Sequence, residues 1–151
     1  MRTRAWRLRL GLAAVLALSG AACESAKESV SASSVYGDWL LTRIGGPGGE
    51  DLAAGGGKPP SLHIGEDGRV SGFSGVNRFA GTTELAALRE GKLALNTPLA
   101  VTRMAGPPAA MDLEKRFLTA LEQARSFRID GDALRLAAVD GKELLAFQRS
   151  P

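Results

Sequence analysis

Apolar and polar residues alternate in several short segments of the chain. Leu62 and Ile64 share one face of Ser61 to Gly65, Leu93 and Leu95 one face of Lys92 to Asn96, and Leu134 and Leu136 one face of Ala133 to Ala138. Leu145 and Phe147 repeat the pattern near the C-terminus. A two-residue period puts successive side chains on opposite faces, so each segment predicts a half-buried β-strand. Asp67-Gly68, Asp130-Gly131 and Asp140-Gly141 separate such segments. Asp-Gly supplies the positive φ of tight hairpin turns, and the sheet is therefore expected to be antiparallel. In Asp38 to Ile44 (DWLLTRI), Trp39, Leu40 and Leu41 follow one another. Period alone leaves the inner face of that strand open, and a bulge is compatible with it.

Between Pro107-Pro108 and Arg125 the period changes. Ala110, Leu113, Phe117, Ala120, Leu121 and Ala124 form a stripe along one side of a helix, with Glu114, Lys115 and Glu122 placed off it. This predicts one packed α-helix, at about 109–125, as the only helix beyond the N-terminal segment. Strands before and after a single amphipathic helix describe a mainly β fold. The expected form is an antiparallel curved sheet or barrel with the helix across an opening.

The N-terminus follows different rules. Arg2, Arg4, Arg7 and Arg9 precede the apolar run Leu10 to Ala22, which is too short to span a bilayer but has the length of an export-signal core. Gly20, Ala21 and Ala22 suit a peptidase, and Cys23, the only cysteine, follows directly. We therefore read 1–22 as a signal peptide and Cys23 as a lipidation site, although Gly20 stands where a lipobox usually has Leu, Val or Ile. Ordinary signal cleavage leaving a free thiol is the alternative. Several acyl chains on one residue anchor durably, where a single chain does not. Residues 23–34, rich in serine and poor in bulky apolar side chains, read as a polar tether. Residues 35–150 then form one domain, of a size that encloses a core without disulfide staples. The expected location is the cell envelope. Glu24 after the cysteine, by analogy with lipoprotein sorting, favours the outer membrane facing the periplasm.

Charge looks different once the signal is set aside. The whole chain has 19 Lys and Arg against 16 Asp and Glu. Removing the four N-terminal arginines leaves fifteen against sixteen, a net charge of −1. No basic cluster survives in the rest, so no nucleic-acid partner is expected. The glycine-rich stretch from Gly45 to Pro60 lacks the Walker spacing, because Leu52 takes the place of its first glycine and Pro59 that of its hydroxyl. It reads as a loop. Gly72-Phe73-Ser74-Gly75-Val76 resembles a nucleophile elbow until Val76 replaces the last glycine. His63, the sole histidine, alternates with Leu62 and Ile64 and should face solvent. One histidine and one cysteine do not make a common transition-metal site, so no metal and no cofactor are expected.

The run Gly72-Phe73-Ser74-Gly75-Val76-Asn77-Arg78-Phe79-Ala80-Gly81, then Thr102-Arg103-Met104-Ala105-Gly106-Pro107, then a helix with Glu114, Phe117 and Leu121, resembles the META/HslJ family of small bacterial envelope proteins. The likeness extends from Gly37-Asp38-Trp39 to Leu145-Ala146-Phe147. It implies a lipocalin-like, mostly antiparallel β-barrel. It also implies a non-enzymatic protein tied to stress response or envelope maintenance, with the membrane as partner through the N-terminal lipid and an envelope protein as a further partner. Family members typically place a cysteine at each of the positions held here by Val76 and Gly106, so the resemblance carries no redox or disulfide role over to this chain. The alternatives are a barrel that binds a small apolar ligand and an accessory protein for secretion-system assembly. If the domain has a binding surface, it is expected where the two family segments meet, at Ser74, Asn77, Arg78, Thr102 and Arg103. Against this stands a purely architectural role, with Asn77 and Thr102 satisfying buried backbone groups.

Overall fold

The computed structural model describes residues 35–46, 48–51 and 58–151. The proposed signal, Cys23, the tether and part of the glycine-rich stretch lie outside the described residues. Among the described residues nine strands form one antiparallel sheet: β1 (Gly37–Ile44), β2 (Glu50–Asp51), β3 (Ser61–Ile64), β4 (Arg69–Phe73), β5 (Arg78–Thr82), β6 (Ala100–Val101), β7 (Ser126–Asp130), β8 (Ala133–Ala137) and β9 (Glu143–Arg149). Their spatial order is β6-β5-β4-β3-β1-β9-β8-β7, with the short β2 paired to β1. The helices are α1 (Leu85–Arg89) and α2 (Pro108–Gln123).

The expected turns are present, and Gly68, Gly131 and Gly141 all carry positive φ, at 80°, 59° and 82°. β1 has the bulge its pattern allowed, since its register against β9 shifts between Leu41 and Arg43. Trp39 and Leu41 face inward, and the Trp39 indole donates 2.9 Å to the Val35 carbonyl. That bond and the full burial of Val35 tie the residues just ahead of β1 into the core.

The sheet curves without closing as a continuous ladder. Chain segment 91–96 spans the gap between the β5 side and β7, through single bridges Thr83 to Leu95 and Lys92 to Ser126. Leu93 N to Arg125 O and Phe127 N to Gly91 O, both 3.0 Å, complete the span. The strand expected over Lys92 to Asn96 is thus an extended strap, although Leu93 is buried as its pattern requires. A second correction concerns helix number. α1 is a five-residue helix whose buried Leu88 is its only buried residue, too short to show a period in the sequence.

α2 begins at Pro107-Pro108, where the missing N–H of proline costs nothing. It lies against the inner face of β1 and β9. Phe117 is fully buried, its ring centroid 5.8 Å from that of Phe79 and 6.3 Å from that of Phe147, so one helical aromatic joins both halves of the sheet. Leu62, Ile64, Leu134, Leu136 and Phe147 fill the remaining interior. Gly72 serves this packing. A Cβ there would meet the Phe79 ring at 2.8 Å and the Ser61 carbonyl at 2.0 Å.

Candidate functional site

The two segments singled out in the sequence meet at the mouth of α2, around Glu114. This residue is only 7% exposed, whereas the helical period placed it off the apolar stripe. Its Oε2 accepts from Ser74 Oγ at 2.7 Å, Asn77 N at 2.7 Å and Val76 N at 3.2 Å. Its Oε1 accepts from Asn77 Nδ2 at 2.8 Å. The β4–β5 turn therefore wraps its donors around a helical carboxylate. No cation pairs with it among the described residues. Burial alone would raise the Glu114 pKa, and the bonds from Ser74, Asn77 and Val76 outweigh it, so the carboxyl sits below its ordinary range.

Asn77 extends the network to the second segment. Its Oδ1 accepts from Met104 N at 2.7 Å and Thr102 Oγ1 at 2.9 Å, and its Nδ2 also donates to the Met104 carbonyl at 3.1 Å. Thr102 Oγ1 in turn accepts from Arg78 N at 3.1 Å. Both ends of the Asn77 amide are thus committed, and one side chain joins the β4–β5 turn, the chain leaving β6, and α2.

This divides the expected binding set. Ser74 and Asn77 are buried, at 0% and 2% exposure, and face inward, so they are not part of a surface. Arg78, Thr102 and Arg103 are exposed, and Thr102 shares the network through its hydroxyl. The residue that sequence reasoning placed wrongly is Glu114. Its spacing of three from Phe117 and seven from Leu121 puts it on the buried side of α2.

Val76 and Gly106 touch. A Cβ on Gly106 would stand 3.4 Å from the Val76 Cβ and 2.6 Å from its Cγ2. The first distance is near the roughly 3.5–4.5 Å of a disulfide, and the second leaves no room for a side chain at 106 while valine occupies 76. Val76 is partly buried in this contact.

On the opposite face of the sheet lies an open cleft of about 680 Å³ bordered by Lys58, His63, Phe73 and Arg78. His63 is exposed, as its alternation predicted, and its Nδ1 lies 2.9 Å from Asp38 Oδ1. Among the described residues no helix is long and apolar enough to cross a membrane.

Fold and network together define a small β-sheet domain locked by one helix through a buried carboxylate. The META domain family model matches residues 32–151, and the chain belongs to that family. An NMR structure of a protein from Burkholderia xenovorans is similar at a TM-score of 0.58 and 28% identity, over 79% of this chain and 86% of that one. A second NMR structure matches at 0.55 and 26%, over 80% and 95%. A crystal structure of a DUF4847 family protein from Bacteroides vulgatus matches at 0.53 over 80% and 98%. Its 14% identity makes that a likeness of fold alone. No match was found among curated proteins.

Proposed function

We propose that this chain is a non-enzymatic META-domain lipoprotein of the bacterial envelope, anchored through Cys23 in the outer membrane, and that it serves stress response or envelope maintenance by binding. The observation that supports this most is the fate of Ser74 and Asn77. These polar residues of the family motif spend their hydrogen bonds on Glu114 and on the 102–104 backbone, which is the work of a scaffold. The anchor rests on the basic, apolar and small-residue pattern ahead of Cys23 and on the polar run after it. Palmitate labelling tests it. The wild-type chain should take up label, and Cys23→Ser should not; equal labelling of the two sinks the anchor. Complementation of a deletion strain tests the role, with Cys23→Ser expected to fail to restore stress tolerance even when its amount is unchanged.

A second reading, small-ligand binding, is favoured by the cleft on the outer face of the sheet. The concave side is occupied by the side chains that form the core, so the proposed ligand does not sit inside the sheet.

A further inference from the structure

The cleft is built from two cross-strand rows on the solvent face. One row runs Asp38, His63, Ser71, Ala80 and Ala100 across β1, β3, β4, β5 and β6. The next runs Leu40, Ser61, Phe73 and Arg78, where Thr102 N donates 3.0 Å to the Arg78 carbonyl. Ser71, Ala80 and Ala100 are small and leave a depression, and Phe73 and Arg78, paired in register, stand beside it. Lys58 Nζ lies 5.4 Å from the Phe73 ring centroid. Neither Lys58 nor Arg78 meets a carboxylate among the described residues, whereas Asp38, the acid on the rim, is taken by His63.

We propose that this cleft binds a small aromatic carboxylate. Two cations that meet no carboxylate among the described residues flank one aromatic ring over a floor of small side chains, in a volume of about 680 Å³ that lies within the range of small-molecule sites, roughly 300–1,000 Å³. A flat ring rests on Ala80 and Ala100 with its edge or offset face against Phe73. Its carboxylate meets the Arg78 guanidinium, the side chain best shaped for two parallel hydrogen bonds to such a group, with Lys58 adding a second positive charge. The Asn77 network on the other side of the sheet holds the Arg78 backbone through Thr102, so the base of this arginine is fixed.

The test is titration of the full chain with 2-naphthoate in an uncharged detergent, followed through backbone amide shifts. Saturable shifts are expected at Ser71, Phe73, Ala80 and Ala100. Arg78→Ala and Lys58→Ala should each weaken binding at least about fivefold without altering the thermal midpoint, since both residues are exposed. The neutral 2-naphthalenemethanol should bind at least about tenfold more weakly, and Ala80→Trp should fill the depression and abolish binding. Cys23→Ser should bind like wild type, which separates this site from the anchor. No saturation by 10 mM, shifts confined to other residues, equal binding of the alcohol, or unchanged affinity in both cation variants would each overturn the assignment.

Discussion

Glu114 and Glu143 are both carboxylates withdrawn from water, yet the first is met by four uncharged donors and the second by two guanidinium groups. Glu143 Oε1 lies 2.9 Å from Arg43 and its Oε2 3.1 Å from Arg135, across β1, β9 and β8. Burial would raise its pKa, and hydrogen bonds and charge from the two arginines pull it down below the ordinary range. The arginines are about 30% exposed, and the buried Nε of each finds no hydrogen-bond partner among the described residues. The ion cluster is thus partly wet and incompletely satisfied, and the Glu114 carboxylate receives uncharged donors on both oxygens. Solvent and salt weaken the first kind of contact far more than the second. The turn that supplies the Glu114 donors is local in sequence, and the arginine cluster joins residues 100 positions apart.

The largest effect is expected from Glu114→Ala. It leaves the backbone N–H groups of Val76 and Asn77 without their acceptor and takes one acceptor each from the Ser74 hydroxyl and the Asn77 amide, which keep the Asn77 and Met104 carbonyls, a loss of about 3 kcal/mol. Urea unfolding would register this as a lower midpoint at unchanged slope; a loss under about 1 kcal/mol refutes the role of the carboxylate. Next, Val76→Cys with Gly106→Cys should form a disulfide that adds about 2 kcal/mol under oxidising conditions and nothing under reducing ones. Glu143→Ala should cost about 1.5 kcal/mol, discounted for the exposure of its arginines. That cost should shrink in 1 M salt, and the cost of Glu114→Ala should not. Smallest of all, Arg78→Ala and Arg103→Ala should each change stability by less than about 0.5 kcal/mol.

Acid acts on both carboxylates. Both carboxyls have folded pKa values below their unfolded ones, so each contributes stability that is complete above the unfolded value and is lost as pH falls through the folded one. Stability should therefore decline below about pH 4.3, the ordinary Glu value. Glu114→Gln and Glu143→Gln should each flatten part of that decline. Only for Glu143 should the flattening depend on salt.

Much of this was legible in the chain. The alternation at Leu62 and Ile64 and at Leu134 and Leu136, and the Asp-Gly turns, specify an antiparallel sheet because side-chain direction and turn geometry are local properties. Pro107-Pro108 and the stripe through Phe117 specify α2 for the same reason. The strap at 91–96 was not legible as such. Leu93 and Leu95 alternate as in a strand, yet the segment makes only single bridges to two separated strands, an outcome set by how far the sheet curves. The candidate surface was half legible. The motif marked Ser74, Asn77 and Thr102 as candidates for a surface, with a structural role open for Asn77 and Thr102, but a polar residue next to glycines does not declare which way it points. Glu114 was missed because a carboxylate on an apolar face violates the pattern, and only its donors, forty positions away in the case of Ser74, explain it.

Asn77 and Glu114 form one structural unit, and a double-mutant cycle on unfolding free energy measures their coupling. Asn77→Ala and Glu114→Ala remove the same interactions from opposite ends, so the double variant should be less destabilised than the sum of the singles by more than about 1 kcal/mol. Additivity within about 0.3–0.5 kcal/mol would show that the two residues act independently, and would contradict the account.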